Sequence, residues 1–265
     1  MVLAGAVDGL FESSGSMPVK AVESLAAALA DVARTALQAE EDSKAGAISL
    51  RPLKRLVELC VHNLKRLAVV WAVAKAVPLE ACDSRHASVR QAGLNSLNRV
   101  LHKAIASPEV RNNTDQEDAD RIHQEELLRP LQTLLQSNYE DVRLGACESL
   151  TQVLHGAGQG FDEAAWDATI ALLATAAQCE LTRLDVDFLL PGMGSPVGLS
   201  RVMTSPSTPS SSRRRSVPTV KATPTMTAVF KLTELIVRDC LQCIPTASVP
   251  LITTVVGALG RFQGL

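Results

Sequence analysis

The chain has 265 residues, a formal net charge of −2, 46% apolar residues and only 3% aromatic ones. That length allows one large domain or two small ones, and the near-neutral charge excludes the overall basic field by which a protein engages nucleic acid. Plentiful Ala and Leu with few aromatics suit close-packed helices and argue against a β-sandwich; no apolar run reaches the roughly 20 residues that span a bilayer, and the N-terminus lacks the basic start and apolar segment of a signal peptide.

Residues 1–17 are small and polar and read as a flexible N-terminus. Residues 18–39 read as a first helix with Val22, Leu25, Leu29, Val32 and Leu37 near one side. A charged turn at 40–44 leads into 49–76, SLRPLKRLVELCVHNLKRLAVVWAVAKA, the stretch on which the rest is organised. Its Leu53, Val57, Cys60, Leu64, Leu67, Trp71 and Ala74 step by four and three, which lines them up on one stripe of a helix and on no strand. Ser49 can cap the start, Pro52 is tolerable within the first turn, and Pro78 should close the far end, because the residue before a proline is pushed out of helical geometry. The opposite face carries Arg51, Lys54, Arg55, His62, Lys65 and Arg66.

Further helices are predicted over 86–105, 119–135 (with Pro130 as a kink), 139–155 and 161–178, the last two parted by GAGQG as a glycine stop. Two of them are copies. SVRQAGLNSLNRVLH (88–102) and DVRLGACESLTQVLH (141–155) align without gaps at an offset of 53 residues. Each opens with a polar cap, an apolar anchor and an Arg able to bridge neighbouring repeats. The fold class that follows is all-α, a HEAT/armadillo-like helical-repeat solenoid: helical repeats over 18–182 and their continuation over 227–265. The apolar pattern breaks off at 260–265 without a tail, so the chain is expected to be a piece of a longer protein. Between the two blocks, 183–226 is rich in Ser, Thr and Pro and too poor in large apolar groups to offset chain entropy; it is expected to be a disordered insert.

Catalytic constellations are not apparent. The histidines at 62, 86, 102, 123 and 155 lack metal spacing, and His102 and His155 are equivalent in the repeat, which suits a structural position. Cys240 and Cys243 form a CxxC without a second pair, which reads as core packing. The six scattered cysteines read as reduced thiols of a cytosolic protein. No cofactor is expected, and no enzyme. Two surfaces invite a functional reading. Arg51, Lys54, Arg55, Lys65 and Arg66 could meet anionic lipid or a partner, each basic residue near such a surface contributing ~1 kcal/mol; without an aromatic wedge the contact would be purely electrostatic. In the insert, Ser195, Ser205, Thr208 and Thr223 each precede a proline and Ser216 follows three arginines, contexts suited to proline-directed and basophilic kinases, whose phosphate would reverse the local charge.

The segment 53–71, with Asn63, Arg66 and Trp71 in order, resembles the segment downstream of the catalytic domain in the large brefeldin A-inhibited Arf exchange factors. Residues 127–166 are similar to the next region of that family, with a tryptophan after a glycine loop; Ala165 stands before Trp166 where the family has glycine. Residues 231–262 resemble the related monensin-sensitivity Golgi scaffolds (Mon two), which share the helical regions and lack the exchange domain. The resemblance implies a non-catalytic scaffold of vesicle-mediated protein transport, cytoplasmic and peripheral on trans-Golgi and endosome membranes. It implies partners of the Dopey type, flippases or Arf-pathway components. It leaves as the alternative the regulatory region of an Arf exchange factor whose catalytic domain lies elsewhere. An importin-like cargo receptor would need an acidic or Asn/Trp-lined groove, and the sequence shows no Trp-Asn ladder.

Overall fold

The computed structural model describes residues 9, 11, 13–41, 50–111, 122–183 and 222–260. Its longer helices are α1 (Val19–Glu41), α2 (Arg51–His62), α3 (Leu67–Cys82), α4 (Ala87–Ala106), α5 (Gln124–Leu135), α6 (Glu140–Ala157), α7 (Glu163–Arg183), α8 (Pro224–Leu235) and α9 (Val249–Gly260). No strand occurs among the described residues. Odd-numbered helices pack on one another in chain order, as do the even-numbered ones, and within each hairpin the two layers face across a continuous apolar core. This is an all-α helical-repeat solenoid, in which each hairpin buries its apolar faces only against its neighbours.

The 49–76 stretch is not one helix. α2 ends at His62, residues Leu64–Arg66 form a 3-10 turn, and α3 starts at Leu67. The spacing misleads because a 3-10 turn takes three residues per turn and so mimics the three-residue step of an apolar stripe. Of the seven stripe residues only Leu64, at the corner, is incompletely buried. Nor does Pro78 end α3, which runs on to Cys82. Proline removes one N–H and crowds the preceding turn, but here the helix is largely apolar, and Ala74, Val77, Pro78, Ala81 and Cys82 are all buried around the proline, so packing outweighs that cost. Leu50, not Ser49, occupies the N-cap of α2; Ser49 lies outside the described residues.

In α1 the buried line is Val22, Ala26, Ala30 and Ala33, with Leu25, Leu29 and Leu37 half-buried beside it and Val32 56% exposed. Small side chains let α1 come close to α2 and α3; a reading weighted to large residues picks the flank instead of the contact. Within the described part of the N-terminal segment Phe11 and Ser14 are buried, while Gly9, Ser13, Gly15 and Ser16 are exposed. α6 passes through Gly156 to Ala157 before a 3-10 turn at Gly158–Gly160, so the glycine stop acts two residues later than expected. α8 continues as a π turn (Ile236–Cys240) and a 3-10 turn (Leu241–Cys243) before Pro245 breaks the path. Of the expected insert, 184–221 lies outside the described residues.

The repeat copies are α4 and α6, both in the even layer. Gly93 of α4 lies where α3 passes closest: a Cβ there would stand 2.6 Å from the Pro78 carbonyl oxygen and 2.9 Å from Cys82 Sγ. Gly156 of α6 faces open space. Gly93→Ala is therefore expected to cost ~1–3 kcal/mol by overpacking against backbone, while Gly156→Ala stabilises by up to ~1 kcal/mol through helix propensity. Urea unfolding midpoints check the pair; equal shifts would show that α3 and α4 are not in that contact.

Candidate functional site

The repeat places its arginines as the sequence pattern requires. Arg90 of α4 donates from Nε to both oxygens of Asp141, at 3.2 and 2.9 Å, at the start of α6 in the next hairpin. Its Nη1 donates to the carbonyls of Ser84 and Arg85, and its guanidinium lies 4.0 Å from the Tyr139 ring centroid. Arg143 of α6, fifty-three residues on, repeats the arrangement: Nη1 donates to the Ser137 and Asn138 carbonyls and Nε to Glu180 of α7 at 2.7 Å. The loop before each copy matches too, with the Ser84 and Ser137 hydroxyls accepting from the His86 and Tyr139 amides. The second pair is the deeper, with side chains of Arg143 and Glu180 only 7% and 2% exposed. Arg34 of α1 bridges to Glu80 of α3 at 2.9 Å.

The predicted basic face divides in two. Arg51 and Lys54 are exposed and pair with no other described residue, and Lys65 is exposed at the corner. Arg55 is instead half-buried, pairing with Glu58 at 2.6 Å and lying 5.3 Å from the Phe11 ring centroid. Arg66 turns inward as a clamp. It donates to the carbonyls of Met17 (2.5 Å), Ser14 (2.9 Å) and Gly15 (2.8 Å) and to Asn63 Oδ1 (2.8 Å). Asn63, itself buried, donates from Nδ2 to Ser14 Oγ and to the Leu59 carbonyl. The Asn63–Arg66 pair thus makes the α2–α3 corner and fastens the N-terminal segment to it. Backbone carbonyls some fifty residues upstream carry no side-chain signature, so a sequence reading could not find these acceptors.

Of the kinase-context residues, Ser195, Ser205, Thr208 and Ser216 lie outside the described residues. Thr223 is the N-cap of α8: its hydroxyl accepts from the Met226 amide at 3.0 Å and donates to Glu180 Oε2 at 3.0 Å.

The remaining titratable groups fall in structural settings. Burial pushes the thiols of Cys60, Cys82 and Cys147 up to about 12, which leaves them protonated and unreactive at neutral pH. His102 is half-buried, and desolvation lowers its pKa against a hydrogen bond with Gln152 that raises it. Its repeat equivalent His155 is exposed, at the edge of a cleft of about 380 Å³ shared with Gly158, Leu235, Asp239 and Cys240. Cys240 is buried and Cys243 exposed. Among the described residues no three His, Cys, Asp or Glu gather to hold a metal ion, and no helix is long and apolar enough to cross a membrane. Trp71 and Trp166 are both core residues, Trp166 meeting Phe161 edge-on at 5.6 Å.

Over the described residues the fold defines an all-α helical-repeat protein with exposed helix faces. The chain is 27% identical over 200 residues to the Protein MON2 homolog of Drosophila melanogaster, a match covering 71% of this chain and 11% of that protein. The two are distantly related, and the chain spans about a tenth of its relative's length. No protein-family model matches the chain, and no solved structure matches it.

Arg66→Ala is expected to free the N-terminal segment. Hydrogen bonds from a charged donor contribute ~1.5–3 kcal/mol each, so the Met17 amide, which donates to the Ser14 carbonyl, should exchange at least about tenfold faster. Lys54→Ala should leave it unchanged. Hydrogen exchange on both variants checks this; equal protection would mean that Arg66 is not the clamp.

Proposed function

We propose that this chain is part of a non-catalytic scaffold in Golgi and endosome vesicle-mediated protein transport, working by binding proteins and, at one face, anionic membrane. What carries the reading is the similarity to the MON2 homolog over most of the chain, joined to a solenoid whose ordered chemistry is spent on holding repeats together. The sequence resemblance to the Golgi scaffolds points the same way. Partners of the Dopey type, flippases and Arf-pathway components are the classes the resemblance suggests. The second reading, the regulatory region of an Arf exchange factor, has the likeness of 53–71 and 127–166 behind it; the similarity to the MON2 homolog favours the first.

The membrane contact narrows to Arg51, Lys54 and Lys65, which are exposed, whereas Arg55 and Arg66 are half-buried. A cationic group already donating to three carbonyls, as Arg66 does, has little left to offer a phosphate surface. The location is cytoplasmic and peripheral, and the tagged protein should co-fractionate with trans-Golgi and endosomal membranes. A wholly soluble distribution in cells would overturn the reading.

The lipid part has its own test. At ~1 kcal/mol per basic residue near an anionic surface, the triple change Arg51→Glu, Lys54→Glu and Lys65→Glu is expected to weaken sedimentation with phosphatidylserine vesicles at low salt by about a hundredfold or more, with helicity unchanged by circular dichroism. Wild-type protein that fails to bind such vesicles, or a triple variant that binds as well, would remove the membrane from the proposal and leave protein binding alone.

A further inference from the structure

A phosphate added at Thr223 would act on two contacts at once. Its hydroxyl makes two hydrogen bonds at once, accepting from the Met226 amide as the α8 N-cap and donating its proton to Glu180 Oε2. Glu180 is buried, and its other oxygen, Oε1, receives Arg143 Nε at 2.7 Å and faces Arg183 Nη1 at 3.7 Å. Arg143 is the repeat arginine that ties α6 to α7. A single hydroxyl therefore joins the start of α8 to the ion pair between two repeats. Thr223 is half-exposed, and Pro224, directly after it, is exposed, so the Thr-Pro context is presented at the surface.

We infer that Thr223 is a phosphorylation site for a proline-directed kinase, and that phosphate there releases α8 from the stack. The kinase transfers the γ-phosphoryl group of ATP to Thr223 Oγ1; ADP leaves, and the hydroxyl proton passes to the kinase's catalytic base. The product has no proton to donate to Glu180. In its place stands a group carrying about −1.5 to −2 charges at neutral pH, beside a buried carboxylate. A phosphate at a helix N-terminus is favourable by itself, but that gain is small beside the repulsion from a carboxylate held 3.0 Å away out of water, where charges are poorly screened. Arg143 and Arg183 have to choose between two anions, and the helix that carries the new one moves away. α8 packs on α6 and α7, and α9 on α7, so the release opens the stack at this joint.

The test uses the full chain with Ser195→Ala, Ser205→Ala and Thr208→Ala, so that Thr223 and the buried Ser107 are the remaining Ser/Thr-Pro positions. The protein is treated with a proline-directed kinase and ATP, and read by mass spectrometry and hydrogen exchange. One phosphate on Thr223 is expected, with amides of α8 exchanging at least about tenfold faster and those of α4 unchanged. Thr223→Ala, which removes the cap without adding charge, should give a smaller rise. In a Glu180→Gln background, phosphorylation should change α8 exchange much less than it does with glutamate present. No phosphate on Thr223 would overturn the proposal. So would a phosphorylated protein with unaltered α8 exchange, an effect no larger than that of Thr223→Ala, or one undiminished by Glu180→Gln.

Discussion

An arginine at the third position of each copied segment reaches forward to an acid in the following hairpin, and the stack depends on that contact for its register. A solenoid has no closing contact between its ends, so each unit is positioned by its neighbours alone. Apolar faces supply attraction but slide easily; a guanidinium held by two carbonyls behind and one carboxylate ahead fixes direction and spacing. Arg90 does this toward Asp141 and Arg143 toward Glu180. The second pair is buried, where desolvation offsets much of the attraction; its value lies in what a wrong register would cost, namely an unpaired charge inside the core. The carbonyl partners, at 84 and 85 in one copy and 137 and 138 in the other, make the arginine a bracket between its own hairpin's loop and the next repeat.

Much of this was legible in the residues. The 53-residue offset, the Val-Arg pair and its bridging role all follow from the two copied segments, because an amphipathic helix must repeat its core positions and a bridging arginine must repeat its address; the expected polar cap does not, since His86 and Tyr139 hold the N-cap positions and Ser88 and Asp141 lie inside α4 and α6. The acids it meets were less legible: Asp141 belongs to the copy itself, but Glu180 lies on α7, an odd-numbered helix with no counterpart in the alignment. Boundaries failed where tertiary packing overrode local preference. Pro78 sits inside α3 because that helix is buried on several sides, and the α2–α3 corner was hidden because its 3-10 turn keeps the apolar step. The alanine face of α1 was missed because closeness, not bulk, is what it contributes.

The candidate surface was harder still. Charge counting along 51–66 treats every Lys and Arg as solvated, yet one of them is the clamp for a segment fifty residues away. Asn63, Arg66 and Trp71 form the spaced motif singled out in the sequence; in the structure two of them build a corner and the third fills the core. The proposed function accordingly rests on exposed residues beside that motif and on relationship to a much longer protein, and the inferred switch at Thr223 lies where the ion-pair ladder meets the start of a helix.

The bridging role is most directly tested by a double-mutant cycle on Arg143 and Glu180, using Arg143→Ala, Glu180→Ala and the pair, each followed by urea unfolding. If the arginine fixes the joint through that carboxylate, the two changes are coupled by about 1.5–3 kcal/mol, the double variant being far less damaged than the sum of the singles. Additivity within about 0.5 kcal/mol would mean that the repeats hold their register without it.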